Sequence, residues 1–119
     1  METNREIQAL TKSFAACSKI LTAIGDETRQ HIILEMMKME QCSGVRVGEL
    51  TEKTNLSRPA VSHHLQIMKN AGLINIRKEG TKNYYYFDPK MKSLEHLIST
   101  LTLAMHISQS LPDRNEKEE

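Results

Sequence analysis

The sequence predicts a mainly α-helical fold carrying one small β-hairpin, in the order α-α-α-α-β-β-α. Three observations predict it. Apolar residues recur at steps of three and four through most of the chain, which is the period of an amphipathic helix. That period gives way to alternation in "LINIRKEG" and to a β-rich run in "NYYYF", as two paired strands require. Helix-start and helix-stop residues stand at the borders: Gly25, Asp26, Ser57, Gly72 and Pro112.

Each element follows from its residues. Ile7, Leu10, Phe14, Cys17, Leu21 and Ile24 form one apolar stripe on a first helix of about five turns, which Gly25 ends. Asp26 is a good N-cap for a second helix, "ETRQHIILEMMKM", with Ile32, Ile33, Met36 and Met37 as its apolar side. "EQCSG" is a loop, and "VRVGELTEKT" a short third helix that turns Val47, Leu50 and Val45 inward. Ser57 caps a fourth helix with Pro59 in its first turn, where a missing N–H is harmless. Gly72 closes that helix near Asn70 or Ala71. Ile74 and Ile76 then face one way and Asn75 and Arg77 the other, and "KEGTK" is the hairpin tip. Asp88-Pro89 breaks the hairpin. A last helix from about Met91 to Ser110 aligns Met91, Leu94, Ile98, Leu101 and Met105. Residues 1–111 thus form one folded domain, and the charged tail 112–119 is expected to be disordered.

Composition narrows the function classes. The chain of 119 residues suits one domain, large enough to form a core without disulfide staples. Aromatics are only 4% of the residues, so Leu, Ile, Val and Met must fill that core. Two cysteines are too few for a disulfide scaffold. No apolar run approaches the length of a membrane span, and the N-terminus lacks the basic-then-apolar order of a signal peptide. The cytoplasm is the expected compartment. Net charge is only +1, but its distribution is uneven. From Ser57 to Lys82 there are five basic residues (Arg58, Lys69, Arg77, Lys78, Lys82) against one acidic (Glu79), while the tail has two basic and four acidic. A local basic patch is what phosphate contact by one region needs.

A short helix, a three-residue turn and a second helix make a helix-turn-helix, and the hairpin that follows makes it winged. Laid out at 100° per residue, the fourth helix puts Ala60, Val61, Leu65, Met68 and Ala71 on one side. Arg58, Ser62, Gln66 and Lys69 fall opposite, with His63 at their margin and His64 at the edge of the apolar side. The exposed set can donate to phosphates and to base edges in a major groove; an ordinary solvated face is the alternative. Neighbouring histidines point about 100° apart, so His63 and His64 do not suit one metal ion, whose helical ligands prefer a separation of three or four. His64 reads as an edge-of-core residue with a hydrogen-bonded ring.

"AIGDETRQHIILEMM", "VGELTEKTNLSRPAVSHHLQIMKNAGLI" and "RKEGTKNYYYF" resemble the ArsR/SmtB family of bacterial winged-helix transcriptional repressors, over about residues 18–90. "LSRPAVSHHLQIMKNAGL" is the most specific part. The resemblance implies a homodimer through the first and last helices, repression by binding a pseudo-palindromic operator in double-stranded DNA, and release by an inducer. It matches Ser57, Arg58, Ser62 and His63 to DNA-facing positions of the recognition helix, and Arg77, Lys78 and Lys82 to the wing. Gln30 departs from the family, where an apolar residue is usual, and implies a small change in packing.

The sensing sites of that family fit this chain poorly. The Cys-x-Cys site of the third helix meets "VRVGEL" instead. The site on the last helix falls on Pro89, Met91, Thr102 and Met105, or, anchored on His106, on Ser93, Glu95, His106 and Gln109. Only Glu95 and His106 could ligate, short of the three or four ligands zinc takes. His96 and His106 read as surface residues, and neither metal nor cofactor is expected. Cys17 and Cys42 remain. Cys17 lies on an apolar stripe and packs; Cys42 lies in a loop. If the two meet, a redox, reactive-sulfur or metalloid switch at the dimer stripe becomes an alternative mode of sensing. A winged-helix module that binds protein would need a less basic face. An enzyme would need a phosphate loop, an acid pair or an activated nucleophile, and the sequence offers none.

Overall fold

A computed structural model of the chain describes residues 2–39 and 43–111. Six helices and one hairpin follow in order: α1 Glu2–Ala16, α2 Ser18–Ile24, α3 Glu27–Met39, α4 Val47–Thr54, α5 Arg58–Asn70, β1 Ile74–Glu79, β2 Lys82–Phe87 and α6 Lys92–Ser110. The acidic tail and Cys42 lie outside the described residues.

The core is built where α3, α4, α5 and β1 meet. Ile32, Leu50, Val61, Leu65 and Ile74 are sealed from solvent there, and removing their apolar surface from water is what holds the elements together. The helix-turn-helix forms as expected. Asn55 closes α4 in the left-handed conformation, at φ +59°, with its N–H on Thr51 O at 2.9 Å. Leu56 crosses over, and Ser57 opens α5. Strands β1 and β2 pair antiparallel from Ile74↔Phe87 to Glu79↔Lys82.

Three expectations need correction. The first helix is two helices. At Cys17 the chain tightens, its N–H shared between Ser13 O and Phe14 O. α1 lies along α6, and α2 keeps contact with α6 while it turns into the core against α5 and α3. The short third helix begins at Val47, not Val45. Val45 instead exchanges two backbone hydrogen bonds with Tyr85, both 2.8 Å, and so adds a one-residue strand to the wing. On α3, Met37 is exposed, not inward. On α6, the buried residues are Leu97, Thr100 and Ile107, whereas Ile98, Leu101 and Met105 face solvent at 57%, 48% and 57% exposure. The expected stripe is thus divided, with Met91 and Leu94 packed against the core and its later residues facing outward.

Candidate nucleic-acid interface

The fourth predicted helix, α5, is held at its start by its own cap. Ser57 Oγ accepts the Ala60 N–H at 3.3 Å, and Pro59 occupies the first turn. Val61, Leu65 and Met68 anchor the inner side. Arg58, Ser62, His63, Gln66 and Lys69 all lie on the exposed side. Gln66 Nε2 donates to Asn70 Oδ1 at 3.0 Å, which leaves its carbonyl oxygen outward. Ser57 is exposed as well, but its hydroxyl oxygen already serves the helix.

The two histidines part company as their positions on the helix require. His63 is exposed. His64 is half-buried, with Nδ1 3.1 Å from the guanidinium Nη1 of Arg29. A guanidinium only donates, so Nδ1 accepts and the ring proton belongs on Nε2. Burial, then the Arg29 charge, hold the His64 pKa below its ordinary value, with Asp26 pulling the other way and His63 adding slightly to the depression. Arg29 itself is 7% exposed. It donates through Nε to Ala23 O and through Nη2 to Thr22 O, both at 2.8 Å. The end of α2, the start of α3 and the middle of α5 are thereby pinned at one point. Asp26 accepts the Arg29 N–H at 3.0 Å, and that bond is the main reason its pKa is lowered.

Sequence reasoning did not single out Arg29, although the signal was present. Arg29, Ile32, Ile33 and Met36 stand at i, i+3, i+4 and i+7, so Arg29 heads the apolar stripe of its helix. Gln30, the family departure, is exposed and donates through Nε2 to Ile24 O at 2.8 Å, satisfying a carbonyl at the end of α2.

In the wing, Lys78 and Lys82 are exposed. Arg77 is differently employed. Its Nη1 donates to Ser43 O at 2.6 Å, its Nε to Glu79 Oε1 at 3.1 Å, and its guanidinium carbon lies 4.8 Å from the centre of the Tyr84 ring. The guanidinium of Arg46 lies 5.7 Å from the same ring centre. Arg46 and Tyr84 are further residues of this surface that the sequence reading did not pick out. Pairing of strand register with loop contacts brings them together, and neither spacing nor period encodes that.

The residues considered for sensing lie elsewhere. Cys17 is 1% exposed, its Sγ 3.3 Å from Thr100 Oγ1, packed between α1 and α6. Thr100 Oγ1 also bonds Ser13 Oγ, which lies 3.1 Å from His96 Nε2. His106 Nε2 is 3.7 Å from Glu6 Oε2, and Glu95 is exposed. Among the described residues no three His, Cys, Asp or Glu side chains converge as metal ligands.

An outward polar and basic helix after a three-residue turn, with a basic hairpin at its side, defines a winged helix-turn-helix DNA-binding protein. The family model described as bacterial regulatory protein, arsR family, matches residues 26–75. A helix-turn-helix transcriptional regulator of Methanocaldococcus jannaschii is 31% identical over 91 residues, which are 76% of this chain and 99% of that one. The transcriptional repressor SdpR of Bacillus subtilis is 35% identical over 68 residues, 57% of this chain and 71% of the repressor. Among solved structures, the homodimeric winged helix-turn-helix domain of a possible ArsR-family regulator from Mycobacterium bovis superposes with a TM-score of 0.55 at 20% identity. It covers 89% of this chain and 92% of that one. This chain belongs to the ArsR family of bacterial regulatory proteins, and its function is DNA-binding transcriptional regulation.

Proposed function

We propose that the chain is a dimeric repressor that reads a pseudo-palindromic operator with α5, grips the flanking backbone with the wing, and performs no catalysis. The observation that carries this reading is the solvent-facing side of α5, where Arg58, Ser62, His63, Gln66 and Lys69 are all exposed beside Lys78 and Lys82. Arg suits guanine and Gln suits adenine in the major groove. Lys69, Lys78 and Lys82 suit phosphates.

The dimer rests on a second observation. Ile98, Leu101 and Met105 on α6 and Ile7 on α1 are exposed large apolar residues on neighbouring helices. Each would contribute about 1–2 kcal/mol on burial. Two-fold pairing buries them and sets two α5 helices roughly 34 Å apart, one turn of DNA. The homodimeric relative supports the same assembly. Residues 1–111 then act as one DNA-binding and dimerising unit. No helix among the described residues is long and apolar enough to cross a membrane, and the cytoplasm, where bacterial DNA lies, is the proposed place of action.

The test is a fluorescence anisotropy titration against DNA from upstream of the protein's own gene and against an unrelated duplex. Gln66→Ala should lose about 1–3 kcal/mol on the operator, and less on unrelated DNA. Lys78→Ala and Lys82→Ala should weaken both duplexes alike and flatten the salt dependence. Wild-type binding indifferent to sequence and to salt between about 50 and 200 mM would overturn the reading.

A further inference from the structure

We propose that Arg46 is a further DNA-backbone contact, and that with Arg58 it forms a phosphate seat between the helix-turn-helix and the wing that Glu52 weakens. The inference rests on the DNA-binding reading above and adds Arg46 and Glu52, which that reading does not use.

A groove of 390 Å³ opens between the start of α4 and the start of α5, lined by Arg46, Gly48, Glu49, Glu52 and Arg58. Arg46 enters from the bend before α4, Arg58 from the first residue of α5. Arg58 lies over the first turn of α4: a Cβ built at Gly48 would be in ordinary contact with Arg58 Nη1, at 3.5 Å. Among the described residues neither guanidinium forms an ion pair.

Arg46 is not placed as a loose surface side chain. Arg46 is half-buried, and its guanidinium lies over the Tyr84 ring, with Arg77 on the same ring. Cations are held over an aromatic ring by its quadrupole. Tyr84 therefore joins the helix-turn-helix to the wing, and the path from α5 to the wing runs Arg58, Arg46, Arg77. Arg77 is ion-paired with Glu79 and also donates to Ser43 O. Among the described residues Arg46 and Arg58 carry no ion pair, and both line the groove. A DNA strand passing from the recognition helix to the wing crosses it, and the planar fork of Arg suits a phosphodiester.

The two glutamates set the strength of the seat. Glu49 has one oxygen engaged, accepting the Arg46 backbone N–H at 3.0 Å. Glu52 is exposed on the next turn of α4, where its charge opposes an incoming phosphate. This gives two substitutions of opposite sign. An Arg46 that only braces Tyr84 would leave the salt slope unchanged in Arg46→Gln.

The experiment titrates the full chain with operator and with unrelated duplex of equal length, from about 50 to 200 mM salt. Wild type, Arg46→Gln and Glu52→Gln are compared, with thermal unfolding recorded for each. Arg46→Gln should weaken both duplexes about 3–10-fold at the low-salt end and reduce the slope of log affinity against log salt by about 0.9 for each protomer bound. Glu52→Gln should tighten both by about 2–5-fold. An unchanged salt slope in Arg46→Gln, or no tightening in Glu52→Gln, overturns the proposal. If Arg46→Gln fails to fold, Glu52→Gln decides alone. A wild type that binds no DNA removes the parent reading, whereas a wild type that binds while both variants match it removes only this one.

Discussion

Arg29 ties α5 to the end of α2 and the start of α3 at one point. It is a buried cation with no buried carboxylate; it is held by two backbone carbonyls and the His64 ring, with Asp26 at 4.0 Å and 40% exposed. Arg29→Met leaves Thr22 O and Ala23 O without their donor and should lower stability by about 2–4 kcal/mol, read as the midpoint and slope of urea unfolding. The His64 contact makes a pH prediction with a definite sign. The folded-state pKa lies below the ordinary 6.5. Below that pH the unfolded chain takes up a proton that the folded chain refuses, so stability is full above about 6.5 and declines as pH falls toward the folded value. Arg29, Asp26 and His63 are the charged or titratable groups facing the ring. His64→Gln should remove this part of the acid-side loss, and urea midpoints between about pH 5 and 7 measure it; identical slopes in variant and wild type would refute it.

At the scale of elements, boundaries set by local chemistry were legible and boundaries set by packing were not. Ser57, Pro59 and Gly72 mark α5 by cap, ring and backbone conformation, and α5 lies between them. Gly72 has φ +78°, and a Cβ there would sit 2.5 Å from Ser93 Oγ at the start of α6. Gly72→Ala should therefore cost about 1–2 kcal/mol, seen as a lower thermal midpoint. Adding Ser93→Ala should restore only the part due to crowding, because the backbone conformation stays unfavourable. The break at Cys17 had no such mark. The apolar stripe runs through it unbroken, and the bend comes where α2 adds α5 and α3 to the contact with α6. The solvent-facing side of α5 was readable because helical period fixes it. The Arg46–Tyr84–Arg77 stack was not, since it joins residues 31 positions apart through the register of Arg77 against Tyr84.

At the scale of the whole molecule, the apolar stripe of α6 was legible from its period, but the way it divides was not. Helix period identifies a stripe but does not say which neighbour covers it. Met91 and Leu94 pack against the core, Ile98, Leu101 and Met105 face solvent, and the buried Leu97, Thr100 and Ile107 lie outside the predicted series. The outward stripe is the proposed dimer contact, and Leu101→Asp tests it. The variant should keep its helical content, sediment as a single protomer and bind the operator at least about 100-fold more weakly, since a half-site alone loses its linked partner. A dimeric Leu101→Asp protein would place the two-fold contact elsewhere.

That outward stripe on α6 also sets how the regulator responds to its own abundance. If only pairs occupy the operator, then at levels below the pairing constant occupancy grows with the square of the number of chains made. Halving synthesis would cut occupancy of a sparsely filled operator to about one quarter. A shallow change in expression would become a sharper change in the genes it silences, with no second ligand required.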